Sequence, residues 1–220
     1  MRKRWLLVLT LLVSLLAPCF PVQAEMAQIG NGIYMAGIPT DQLQYFSAPE
    51  GYGRQRSANW CWAACIQMVL NFHGLPVTQE AIVQKVYGQL IDQPANPEQI
   101  VYALNGWGVD IAGRPSVVQA VPYNIDGPSI VRDLAYRWPL IVGLKGDPVG
   151  HAYVMTAVTY GVDQMNNPLF RSVVLRDPWP GNESRIEISW QEFMERAMFM
   201  TRVYVLRRWK MRKGGLEQVV

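Results

Sequence analysis

Once the first 24 residues are set aside, the chain keeps two thiols, Cys61 and Cys65, and two imidazoles, His73 and His151. A nucleophilic thiol needs a base within reach and surroundings that favour its charged form. Cys61 opens the run Cys61-Trp62-Ala63-Ala64-Cys65-Ile66-Gln67-Met68-Val69-Leu70, which reads as helix. Unpaired backbone N–H groups and the positive end of the dipole at a helix start favour a thiolate. Cys65, one turn further in, has none of that benefit. The two Cα atoms would be about 6 Å apart, within disulfide range, but side chains on one helix face aim poorly at each other. His73 lies on the same helix, about 18 Å beyond Cys61, and cannot reach it. His151 follows Gly150 and opens the apolar run Ala-Tyr-Val-Met-Thr-Ala-Val-Thr-Tyr, so it stands at the start of a strand. By elimination His151 is the one imidazole that can partner Cys61. The plainer readings are two cysteines that serve as small core hydrophobes and a histidine that only ends a loop.

A third group follows from strand order. The next strand ends at Asp177, and consecutive strands usually pair. Antiparallel pairing would set the start of one strand beside the end of the next, and Asp177 beside His151. A carboxylate there can fix the ring tautomer and stabilise the imidazolium. Asp177-Pro178 is also ordinary turn chemistry, compatible with that role.

These residues have to be carried by recognisable elements. Helices are expected over 60–74, stopped by Gly74-Leu75-Pro76; from Thr78 to about 87; from the Asn96 cap and Pro97 to Leu104; and from Asp126 or Ser129 to Arg137. Short β-branched runs at 140–144, 152–160, 170–175, 185–188 and 200–206 read as strands, with a helix over 190–197 between the last two. Residues 25–50 are weakly patterned, with one short strand near 32–36. Helices first and strands afterwards predict a single α+β domain over 25–220, an N-terminal helical half packed on a C-terminal antiparallel β-sheet. There is no internal repeat and no low-complexity segment.

Gln55, six positions before Cys61, then Cys61-Trp62-Ala63-Ala64, Gly150-His151-Ala152 and Asp177-Pro178-Trp179, together resemble the papain-like cysteine peptidases in order, spacing and neighbours. Within that clan the set is most similar to the compact bacterial branch of bacteriocin-processing and plant-pathogen effector peptidases. The resemblance spans residues 55–181. It implies a papain-like fold and an acyl-enzyme mechanism on peptide bonds without a cofactor. It also implies an oxyanion hole made by Gln55 and the Cys61 N–H, and a tryptophan, Trp179, covering the acid–histidine pair. The third triad member is Asp where papain has Asn, which the compact branch tolerates. The segment 25–54 is too short for a long folded inhibitory propeptide. Trp60, Trp62 and Trp179 are expected to line a substrate cleft.

Other chemistries use the same residue types. Cys61, Cys65, His151 and Asp177 are all ligand types that zinc accepts, although structural sites favour CxxC knuckles. An amidase or acyltransferase could run on the same triad. A peptide-binding module could keep the fold without turnover, but it would have no need of all four residues.

Composition sets the frame for these readings. With 50% hydrophobic and 17% charged residues in 220, the chain has the make-up of a globular protein. Met1-Arg2-Lys3-Arg4, the apolar run 5–16 and Val22-Gln23-Ala24 read as a signal peptide over 1–24, its apolar run too short to span a bilayer. Leu16-Ala17-Pro18-Cys19 is an alternative, a lipoprotein box that would lipidate Cys19. Removing 1–24 takes away three basic residues and brings the net charge from +3 to zero, so there is no electrostatic case for nucleic-acid binding. The mature protein is expected in the periplasm or outside the cell. Five basic residues within 207–213 read as a solvated terminus or as loose attachment to anionic lipid or cell-wall polymer.

Overall fold

The computed structural model describes residues 26–43, 46, 54–110, 113, 116–122, 125–146, 150–207, 209–212 and 215–218. The expected signal peptide with Cys19, and the side chains of the basic run 207–213, lie outside the described residues.

The first half of the chain holds three helices. α1 (Cys61–Phe72) is buried all round from Trp62 to Leu70, as a central helix must be. α2 (Gln79–Tyr87) starts at Thr78, whose hydroxyl accepts from the Ala81 N–H, and stops at Gly88 in the left-handed conformation. α3 (Pro97–Leu104) carries a full capping box between Asn96 and Gln99, with proline in its first turn. α1 differs from both. No side chain among the described residues caps it.

The strands form one antiparallel sheet. β1 (Met26–Gly30) and β2 (Ile33–Gly37) make a hairpin. They are followed by β3 (Ser116–Pro122), β4 (Leu140–Leu144), β5 (His151–Val162), β6 (Pro168–Arg176), β7 (Arg185–Ser189) and β8 (Ala197–Arg207). β5 is the axis of the sheet. On one edge it pairs with β4 (Met155 opposite Leu140) and then, further along, with β2 (Ala157 opposite Gly37). On the other edge it pairs with β6. β8 joins β4 to β3, and β7 closes the β6 side. β9 (Trp209–Arg212) and β10 (Gly215–Gln218) form a separate hairpin.

Alternating side chains of the sheet enter two cores. Ile141, Ala152, Val154 and Val203 pack against α1, α2 and α3. Leu140, Val142, Met155 and Val158 pack on the opposite face with α4 (Gly127–Ala135) and α5 (Trp190–Arg196). Burial on both faces explains why β4 and β5 read as unbroken apolar runs and not as an alternation.

The α+β class and the order of elements match the expectation. The sheet is larger than expected, with β1 and β3 added. Ser116–Pro122 does alternate, Val118 and Ala120 inward against Val117 and Gln119 outward, but adjacent valines and a closing proline blur the pattern in sequence. The sheet carries helices on both faces. No helix among the described residues is long and apolar enough to cross a membrane.

Candidate active site

The site forms where three element ends meet. Cys61 is the first residue of α1, His151 the first of β5, and Asp177 directly follows β6. The register opposes Val154 to Arg176, so the start of β5 and the end of β6 share one edge of the sheet. α1 and β5 pack in the same core, which brings the thiol to that edge.

His151 Nε2 lies 2.7 Å from Asp177 Oδ1. An ionised carboxylate can only accept, so Nε2–H donates and Nδ1 is the nitrogen left for the thiol. The Cys61 thiol lines the same cavity as this ring and adds to the forces that keep it charged. Asp177 is 3% exposed, and both its oxygens are occupied. Oδ1 also accepts from the Trp179 N–H at 2.8 Å, and Oδ2 accepts from Asn182 Nδ2 at 2.7 Å.

Electrostatics follow from this chain of contacts. Burial pushes the His151 imidazole down. Its hydrogen bond to Asp177, the hydrogen bond and charge of Cys61, and the Asp177 charge more than reverse this and raise it to about 9. Burial alone would raise the Asp177 carboxyl, but the hydrogen bonds from His151, Asn182 and Trp179 hold it below the ordinary range. Cys65, fully buried beneath Cys61, is raised well above a normal thiol by burial, then by Cys61 and Asp177. Both cysteines are free. His73 sits at the far end of α1, as its spacing required.

Of the three tryptophans expected at a cleft, Trp60 is placed differently, while Trp62 lines the cavity beside Cys61 and His151. Trp60, 7% exposed, is turned into the core, and its Nε1–H donates to Ile91 O at 2.8 Å. Trp62, 1% exposed, donates to Gln93 O at 3.1 Å. Both indoles, with the Asn59 bonds to Asp92, pin the irregular segment 89–96 along the head of α1. A residue flanking the thiol on a central helix has more apolar surface to bury inward than a cleft would offer. Trp179 stays 42% exposed, its ring edge-on to His151 at 6.4 Å.

Gln55 is buried, and its Nε2 donates to both Ser57 O and Ala58 O, 2.9 and 2.8 Å away. Its amide hydrogens are therefore committed to its own loop and do not face an open hole.

A cavity of about 140 Å³ adjoins Cys61 and His151. Trp62, Ile100, Leu144, Met198 and Phe199 give it an apolar wall. Among the described residues no set of three or more His, Cys, Asp or Glu is arranged to hold a metal ion.

Sequence reasoning missed Asn182 and Tyr153. Asn182 lies in a Pro-Gly-Asn turn, where asparagine needs no functional cause. Tyr153 is hidden in the apolar run of β5, yet its ring meets His151 edge-on at 4.7 Å. No sequence signal separates either from turn or core chemistry.

The sequence model of one family, described as papain-like cysteine protease AvrRpt2, matches residues 44–198. No curated protein matches the chain. Among solved structures, the chain is similar to the peptidase domain of Streptococcus ComA, a bi-functional ABC transporter involved in a quorum sensing pathway. Identity is 17%, with 70% of this chain and 96% of that one covered and a TM-score of 0.49. A double glycine motif protease from an AMS/PCAT transporter, solved with the leader peptide, is 15% identical, with 84% and 94% covered and a TM-score of 0.46.

Proposed function

The chain belongs to the papain-like cysteine protease family described as AvrRpt2, and from that premise we propose that Cys61, His151 and Asp177 are the triad of an exported peptidase. One observation carries the assignment: Cys61 shares a cavity with the His151 ring, and that ring is bonded at 2.7 Å to the buried Asp177 carboxylate.

With its proton passed to His151 Nδ1, the Cys61 sulfur attacks the carbonyl carbon of a peptide bond, and the carbonyl π electrons move to oxygen. The Cys61 N–H, at a helix start without a side-chain cap, faces no intrahelical acceptor and is the first donor to that oxyanion. Gln55 joins it by exchanging one of its loop carbonyls for the oxyanion. Each such donor lowers the barrier by roughly 3–4 kcal/mol. Collapse of the tetrahedral species breaks the C–N bond as His151 gives its Nδ1 proton to the leaving amine. His151 then takes a proton from water, which adds to the thioester. Breaking the C–S bond releases the acid and restores the thiol–imidazole pair. Asp177 stays ionised throughout and orients the ring. Trp179 shields the imidazole edge from water.

Export rests on the sequence of residues 1–24, and Glu25 is proposed as the mature N-terminus. Peptide-library profiling of the mature protein tests the enzymatic reading, with Cys61→Ala as the control. Turnover in the native protein and none in Cys61→Ala supports it. Turnover that survives Cys61→Ala, or no turnover from either, overturns it.

A further inference from the structure

The turn that carries the triad acid is held from outside itself. Asp177, Pro178 and Trp179 present three consecutive carbonyls, and two consecutive residues of another segment bind all three. Arg54 Nη1 donates to Asp177 O at 3.0 Å and to Trp179 O at 2.8 Å. The Gln55 N–H donates to Pro178 O at 2.8 Å. The segment is anchored in turn by a fully buried amide. Gln79 Nε2 donates to Arg54 O at 2.7 Å and to Gln67 Oε1 of α1 at 3.0 Å, while Gln79 Oε1 accepts from the Arg56 N–H at 3.0 Å. An unbroken set of hydrogen bonds therefore runs from the helix that bears Cys61 to the turn that bears Asp177.

We infer that Arg54 is a positioning residue for the acid–histidine pair, and this rests on the triad proposed above. Its partners are neutral carbonyls, so it fixes geometry without pairing with a charge. Both things the turn does for His151 depend on that geometry. The Trp179 N–H orients the Asp177 carboxylate, and the Trp179 ring covers the imidazole. Arg54 ties down the backbone on both sides of Pro178, which has no N–H of its own for a local hydrogen bond.

The test compares Arg54→Ala, Arg54→Lys and Arg56→Ala in the mature protein, on a peptide found by library profiling. Arg56 is the control because its side chain pairs with Glu80 on the surface. Arg54→Ala is expected to lower kcat/KM roughly 100-fold, mainly through kcat, as displaced catalytic geometry does. It should also move the alkaline limb of the pH profile down from about 9 towards 6.5, the ordinary imidazole value. Arg54→Lys should recover part of both, and millimolar guanidinium, but not sodium chloride, should partly rescue Arg54→Ala. Arg56→Ala should leave both unchanged. An alkaline limb that stays at about 9 in Arg54→Ala overturns the inference, whatever the rate. If the alanine variant does not fold, the limb in Arg54→Lys decides by the same criterion. Absence of Cys61-dependent turnover in the native protein overturns the triad itself. Intact turnover with an Arg54→Ala profile like the native one overturns only the role of Arg54.

Discussion

An imidazole beside a thiol and bonded to a buried carboxylate is held above its ordinary range. With His151 raised to about 9 from 6.5, folding favours its charged form. Its share of stability is complete below about 6.5 and is lost as pH rises through about 9. The melting temperatures of the native protein and of His151→Ala should therefore converge across that window. Activity should fall along the same limb, because a neutral ring has no proton for the leaving amine. Asp177→Asn keeps the shape of the acid but removes its charge, so the limb should move down towards 6.5. A pH profile of kcat/KM reads this, and a limb unmoved in Asp177→Asn would separate the carboxylate from the histidine. Cys65→Ala should retain most activity, since a buried neutral thiol takes no part in the chemistry. Activity lost in Cys65→Ala and kept in Cys61→Ala would reverse the choice of nucleophile. These residue types were all legible in sequence, His151 by elimination and Asp177 by strand order. The orientation of the Gln55 amide was not, because it depends on where the Ser57 and Ala58 carbonyls point.

Among the elements, the helix starts differ in how they are capped. Thr78 and Asn96 satisfy the starts of α2 and α3, whereas α1 and α4 begin without a side-chain cap. Caps and stops of this kind are local, so the helix bounds were readable to within a few residues. The inward turn of Trp60 was not local. It depends on the segment 89–96, whose Ile91 carbonyl takes the indole N–H. β4 has its own requirement beside the site. A Cβ on Gly143 would lie 2.1 Å from the Phe199 ring of β8. Gly143→Ala should destabilise by about 1–3 kcal/mol, as overpacking does, and Phe199→Leu in the same chain should recover part of it. Denaturant unfolding of the three variants checks this. Additive losses would mean that the ring is not the obstacle.

At the scale of the molecule, the sheet is clad by helices on both faces, and the second face is fastened by charge. Asp133 of α4 is fully buried and lies 2.5 Å from Arg202 of β8. Removing one member of a buried pair leaves the other charge poorly compensated, so Asp133→Ala should cost about 3–5 kcal/mol, read as a lowered melting temperature. A loss below 1 kcal/mol would show that the pair is not an anchor. Sequence by itself determined the chemical inventory, the helix and strand periods, their order, and the resemblance that named the clan. Those properties depend on residue type and on neighbours within a few positions. Only the tertiary structure decided that Cys61, His151 and Asp177 meet, that Trp60 turns into the core, and that Arg54 braces the acid's turn. Each of these depends on packing between segments 26 to 125 positions apart, which leaves no trace in local spacing.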